Sequence, residues 1–341
     1  MLDRGKKGIY NWSSENLKEG VSMNKFRWAY IGAGNIAYST ARSILKGDHE
    51  ITAVYNRTYK KAVAFAEKFG AKAYESFDEL LSSGGFDGVY ICTPHTSHVE
   101  YAVSALKAHF PVLCEKPVGV SEADVQLLIN TAKENDTYFA EAMWTWFSDT
   151  ALTVKNWVQS GEIGEVKKVE IHHCFPGMSM KADSRVRDPM TAGGALLDIG
   201  IYPITYCYNI FGYPEKITCE GTLEQGIDTK EKVILTYRNL DCELYMSLYY
   251  PKEKCVIKGS KGSIRLPGVF HAAPMAVMRK NILIKLGFGK TTYLNEFDRC
   301  VKEIRDGRKE SAYIPFEATL STMKIMDECR RQMGLKYPFE K

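Results

Sequence analysis

The sequence has no apolar run long enough to cross a bilayer, so a membrane-spanning protein is not expected. None of its nine cysteines form a CxxC pair, and their number is odd. That usage argues against a disulfide framework and predicts a reducing, cytoplasmic setting. Neither sign of charge is in large excess: 45 Lys and Arg against 41 Asp and Glu leave a net +4. This is too little to predict nucleic acid or an anionic membrane as a partner. The seven histidines fall in no ligand spacing. His172 and His173 are adjacent, so a strand would turn them to opposite faces, and no metal is expected. Repeats and low-complexity linkers are also absent.

The first 22 residues have a basic start but no apolar stretch after it, so they do not read as a secretory signal. Met23 directly precedes the first strand-like run, and the upstream "KEG" suits a purine-rich ribosome-binding site in the coding sequence. Residues 1–24 are therefore expected to be an extension, with 1–22 outside the native protein. The intact mass of untagged native protein tests this.

What is present has the balance of a soluble globular chain, 45% hydrophobic and 25% charged over 341 residues. From 25 to about 145, strand-like and helix-like segments alternate. Phe26–Ile31 reads as a strand, "YSTARSILKG" as a helix, "EITAVYNRT" as a strand and "YKKAVAFAEKFG" as a helix. The rhythm runs on through "FDGVYICTP", "SHVEYAVSALKAH", "PVLCEKP" and "SEADVQLLINTAKEND", the last opening on a Ser121/Asp124 cap signal. Such alternation predicts a doubly wound parallel sheet with helices on both faces.

The first strand ends in Gly32-Ala33-Gly34-Asn35-Ile36-Ala37, a G-x-G-x-x-A turn. In the strand–turn–helix setting its glycines admit a pyrophosphate close to the backbone, and the helix start offers N–H donors. The second strand ends in Tyr55-Asn56-Arg57-Thr58, with no acid to hold a ribose 2′-hydroxyl. Arg57 would instead pair with a 2′-phosphate, which favours NADP, with NAD as the alternative.

From 146 to 341 the pattern is mostly strand. "GEVKKVEIHHCFP" alternates, and 221–250 reads as antiparallel strands turning at Gly226 and Asn239. A hairpin is expected about Gly259–Gly262, and two helices close the chain. One helix, at about 192–211, interrupts this half; a four-residue spacing puts Asp198 and Tyr202 on one of its faces. The two halves are expected to share a cleft, a common place for a small substrate.

Taken together, Gly32–Ala37, Cys92-Thr93-Pro94-His95 with His98, Glu115-Lys116-Pro117 and the run Gly193–Tyr202 resemble the glucose–fructose oxidoreductase/inositol dehydrogenase (Gfo/Idh/MocA) family. "EAMWTWF" (141–147) and "GGALLDIGIY" look most like its dimeric dihydrodiol dehydrogenase branch. The resemblance implies a Rossmann domain (25–145), then an α/β domain (146–341) with a large, open, mainly antiparallel sheet. That sheet is expected to make a homodimer or homotetramer.

The resemblance also implies hydride transfer between NAD(P) and a sugar, polyol or related hydroxy compound. Lys116 carries over as the catalytic lysine, and Asp198 and Tyr202 onto the family's Asp-x-x-x-His/Tyr pair. Gly32, Gly34, Asn35, Ile36, Asn56, Arg57, Thr93, Pro94, His95, His98, Glu115 and Lys116 are the expected cofactor residues. Trp144, Arg185, Asp198 and Tyr202 are expected at the substrate. Trp146 departs from the pattern, standing where relatives often have Arg, and 268–290 matches none.

The residues suit that chemistry. A tyrosine hydroxyl needs help to exchange a proton near neutrality, and a neighbouring ammonium is expected to lower its pKa. Lys116 would supply that charge and polarise the substrate oxygen, while Asp198 balances it. Either Lys116 or Tyr202 can be the acid/base on this reading. The alternatives are an inositol or aromatic dihydrodiol dehydrogenase and, in another class, a non-catalytic NADP-binding sensor.

Overall fold

A computed structural model of the chain describes residues 25–340. The expected extension and its proposed start at Met23 lie outside the described residues. The first half forms β1 (Phe26–Ile31), α1 (Asn35–Ile44), β2 (His49–Tyr55), α2 (Tyr59–Phe69), β3 (Lys72–Tyr74), α3 (Phe77–Ser83), β4 (Gly88–Ile91), α4 (His98–Lys107), β5 (Val112–Glu115), α5 (Glu122–Glu134) and β6 (Phe139–Ala142). All six strands pair in parallel, in the order β3-β2-β1-β4-β5-β6. The order reverses between β1 and β4, which opens a crevice at the C-terminal ends of the strands. Apolar residues on the central strands are buried from both sides, as helices on both faces require.

The remainder forms α6 (Asp149–Gln159), β7 (Val166–Cys174), α7 (Ile201–Phe211), β8 (Lys216–Glu224), β9 (Ile227–Tyr237), β10 (Leu240–Ser247), β11 (Lys252–Gly259), β12 (Ser263–Leu266), β13 (Met275–Lys280), β14 (Leu283–Phe288), α8 (Tyr293–Arg305) and α9 (Phe316–Met333). Its eight strands run β14-β13-β12-β11-β7-β10-β9-β8 and are antiparallel except for the β10–β7 pair. The α/β sequence pattern therefore resolves into the two expected sheets, one parallel and one mainly antiparallel. Residues 268–290, which matched no sequence pattern, supply a short 3-10 turn at Phe270–Ala272 and the hairpin β13–β14.

Two local details differ from expectation. Helix α1 begins at Asn35 rather than at Tyr38, so the Gly-rich turn runs straight into helix. The segment before Tyr202 is not regular α-helix. Leu196–Gly200 is a π-turn, and α7 starts only at Ile201. Helices α8 and α9 return to the first half. Phe297 packs edge-on against Trp28 at 5.0 Å, and Arg330 donates to the Val120 carbonyl at 2.8 Å.

Candidate active site

The Gly-rich turn stands at the crevice between β1 and β4. Gly32 has φ +113°, and a Cβ there would lie 2.8 Å from the Cys92 carbonyl oxygen, so only glycine fits. Beside Gly34 nothing lies within 4 Å of an added Cβ, which leaves room for a ligand against the backbone. No side chain caps α1, so the N–H groups around the exposed Asn35 and half-buried Ile36 face outward. Asn56 braces the turn by accepting from the Ala33 N–H at 3.1 Å and donating to the Thr58 carbonyl at 3.0 Å. Arg57 is exposed at the end of β2. These residues fit a dinucleotide with an additional phosphate on its ribose.

Across the crevice, the loop after β4 carries Thr93, Pro94 and His95, and His98 opens α4. Ser97 donates to the Thr93 hydroxyl at 2.9 Å and shapes the loop. His98 is fully buried, with its ring nitrogens 2.8 Å from the Pro117 and Thr93 carbonyls. Burial lowers its pKa to about 4. A neutral ring donates to one carbonyl at a time. His98 thus clamps the loop to Pro117 from behind rather than facing the crevice. Glu115 also turns inward: Tyr90 donates to its Oε1 at 2.5 Å, and burial raises its pKa.

Lys116 follows β5 and is joined to Pro117 by a cis peptide bond. Its Nζ donates to the Asp198 backbone carbonyl at 2.6 Å and lies 3.7 Å from Asp198 Oδ1. The π-turn makes this possible. It is closed by the Ile201 N–H bonding to the Leu196 carbonyl, five residues back. At that spacing the donor for the Asp198 carbonyl would be Pro203, which has no N–H. Lys116 Nζ donates to this oxygen in place of the missing five-residue partner.

Arg185 ties the two halves together, with NH2 2.8 Å from Asp198 Oδ1 and NH1 3.1 Å from His95 Nε2. A guanidinium only donates, so His95 Nε2 must accept and its proton sits on Nδ1. That Nδ1 is buried without a partner among the described residues. Burial would raise the Asp198 pKa, but the charges of Lys116 and Arg185 outweigh it and hold the carboxylate well below its usual range. Lys116 itself is lowered by burial, against the pull of Asp198.

Tyr202 lies beside this cluster. Lys116 Nζ stands 4.6 Å from the centre of its ring, and the Trp144 indole N–H donates to its hydroxyl at 3.0 Å. The expectation that Lys116 lowers the tyrosine's pKa is not met. Burial pushes it far above 10, and the modest opposing effect comes from the Trp144 hydrogen bond. The lysine spends its hydrogen bond on Asp198 and meets only the face of the ring, so desolvation decides. Trp146 is buried against Tyr206 at 5.1 Å and does not line the site.

Sequence reasoning missed one wall of the site. His271, on the turn at Phe270–Ala272, stacks on Tyr202 at 4.5 Å, meets Trp144 edge-on and lies 4.5 Å from the His173 ring. No periodicity could reveal this contact between residues 69 and 127 positions away in the chain.

Comparison with known proteins accords with this geometry. Residues 26–142 match the profile described as "Oxidoreductase family, NAD-binding Rossmann fold" (GFO_IDH_MocA), and 151–265 match the GFO/IDH/MocA C-terminal domain. The chain belongs to the GFO/IDH/MocA oxidoreductase family. Among similar members of that family, trans-1,2-dihydrobenzene-1,2-diol dehydrogenase of Mus musculus is 29% identical over 92% of this chain and 99% of its own. The scyllo-inositol 2-dehydrogenase (NADP(+)) IolU of Bacillus subtilis is 30% identical over 85% and 92%. A solved structure of KijD10, a 3-ketoreductase from Actinomadura kijaniata in complex with NADP and TDP-benzene, aligns with TM-score 0.81 at 22% identity. That alignment covers 91% of this chain and 98% of KijD10 and reports on fold. The GFO/IDH/MocA chain described here is thus an NAD(P)-type oxidoreductase, and among its described residues no helix is long and apolar enough to cross a membrane.

Proposed function

We propose that the protein is an NADP-dependent oxidoreductase that interconverts a hydroxyl and a carbonyl on a sugar or polyol. The observation that carries this reading is the convergence of Lys116, Asp198, Arg185 and the Trp144-bound Tyr202 hydroxyl at the mouth of the parallel sheet. The relatives named for NADP(+) and inositol, the exposed Arg57 and the lack of an acid after β2 support the cofactor and substrate class.

Gly32, Gly34 and the start of α1 would hold the pyrophosphate, and Arg57 the 2′-phosphate. The bound nicotinamide supplies or accepts the hydride. This chain's residues handle the oxygen and its proton. Tyr202 accepts from Trp144, so its own O–H is free to donate, and its raised pKa keeps it protonated. It therefore points a proton at a carbonyl oxygen, and because burial makes the hydroxyl a weak acid, the Lys116 ammonium beside the ring must stabilise the charge that develops as the proton leaves. The Lys116 ammonium polarises the same oxygen, and Asp198, held by Arg185, fixes Lys116 in place.

NADPH oxidation against aldoses, polyols, dicarbonyls and dihydrodiols tests the reading. Lys116→Met should lower turnover by about 100-fold or more while NADPH still binds. Turnover unchanged in that variant would refute the assignment.

The nine cysteines are all buried and free, which supports a cytoplasmic setting. A homo-oligomer through the C-terminal sheet is supported by its edge strand. There Ile284, Leu286 and Phe288 share one face of β14, and all are about half exposed or more. Mass photometry of Phe288→Glu against the wild type tests it, with dissociation expected.

A further inference from the structure

His173, Glu253 and His271 stand together beside Tyr202, with one candidate ligand atom from each within 4.8 Å of the others. Their hydrogen bonds are unevenly used. His173 Nδ1 lies 2.6 Å from Glu253 Oε1, and the Phe270 N–H donates to Glu253 Oε2 at 3.4 Å. A carboxylate only accepts, so a proton sits on His173 Nδ1, and in the neutral tautomer its Nε2 presents a lone pair. No protein group meets that Nε2 among the described residues.

His271 is held by its main chain rather than by its ring. Its carbonyl accepts from the Thr145 hydroxyl at 2.9 Å. Its ring is packed on Tyr202, Trp144 and His173, yet Nδ1 is buried without a hydrogen-bond partner. Burial and the neighbouring His173 and Lys116 lower its pKa to about 2, so the ring is neutral, with one N–H donor and one acceptor. A packing role alone would be met by phenylalanine, without the cost of an unpaired polar atom.

A donor on one ring and a lone pair on the other, both next to the proton-donating tyrosine, match an alcohol O–H, which accepts one hydrogen bond and donates one. We propose that His271 and the Glu253-held His173 together bind a substrate hydroxyl neighbouring the reacting carbon, and so select polyhydroxylated substrates over their deoxygenated counterparts. This rests on the sugar or polyol reading above and adds its specificity device. A site built around a substrate hydroxyl rejects the analogue lacking it far more strongly than a merely apolar pocket can.

The test compares scyllo-inositol and D-xylose with counterparts deoxygenated next to the reacting carbon, by NADPH absorbance in both directions. His271→Phe keeps the stack on Tyr202 and removes both nitrogens. The KM for the hydroxylated compounds should rise about tenfold or more, with kcat within a few-fold. The ratio of kcat/KM for the hydroxylated over the deoxygenated compounds should fall by about the same factor. Glu253→Gln, which releases the His173 tautomer, should move KM in the same direction, and His271→Asn should recover part of the loss. Unchanged discrimination in folded His271→Phe, with the wild type active on the hydroxylated compounds, overturns this proposal alone. A wild type that turns over neither hydroxylated compound, nor any other sugar or polyol, overturns the parent reading with it. Loss of turnover on chelation, restored by Zn²⁺, would assign the trio to a metal instead and also overturn the proposal.

Discussion

Glu141 offers a quantitative check on the electrostatics beneath the site. It lies on β6, 2% exposed, opposite Cys114, and its Oε2 has no partner among the described residues. Burial raises its pKa from 4.5 to about 7, opposed by hydrogen bonding to Thr319 and the Val118 main chain and then by the Lys116 charge, and reinforced by Glu115. The unfolded chain loses this proton near pH 4.5, the folded protein only near 7. Between these values the folded state binds more protons, so stability falls as pH rises, and the full penalty is present above 7. Two and a half units at about 1.4 kcal/mol each give roughly 3 kcal/mol in total, of which about 2.5 develops between pH 5 and 8. Glu141→Gln is neutral at every pH and removes this dependence. Urea unfolding of both proteins at pH 5, 6, 7 and 8 should show the variant gaining on the wild type by that amount across the series. Parallel profiles would mean that Glu141 is solvated or paired in the folded protein, and would refute the reasoning.

Arg57→Ala should weaken NADPH binding by about tenfold or more while leaving NADH little changed, since a single charge-assisted contact to the 2′-phosphate is lost. Fluorescence titration of both cofactors checks it. Pro203→Ala supplies an N–H to the π-turn and gives the Asp198 carbonyl a competing donor. Turnover should fall about tenfold with KM and the thermal midpoint nearly unchanged, and restored turnover would not be expected from Pro203→Gly.

The parallel sheet was legible because its signals are local. Gly32 stands where only glycine can, and helices α2 and α5 are bounded by Gly70 and Ser121. The Lys116–Asp198–Tyr202 grouping was legible through family resemblance and four-residue spacing. The details that govern its chemistry were not. The π-turn arises where Pro203 follows a stretch packed against β7 and β10, and spacing alone reads such a stretch as α-helix. The tyrosine's pKa follows from desolvation, which depends on residues brought from both halves. His271 reaches the site only through a turn between β12 and β13, and its significance exists only in three dimensions.

The return of α8 and α9 bears on how the protein is made. Trp28 on the first strand is completely buried, and it is closed over by Phe297. Its indole N–H donates to His49, whose other ring nitrogen meets Asp298 at 2.8 Å. Phe297 and Asp298 leave the ribosome more than 260 residues after Trp28 itself. The nucleotide-binding half therefore emerges first and is completed last, its first strand waiting on the end of the chain. Such long-range closure slows folding and leaves apolar surface open during synthesis. A fragment ending after β6 would keep the Gly-rich turn but leave that aromatic face open to water.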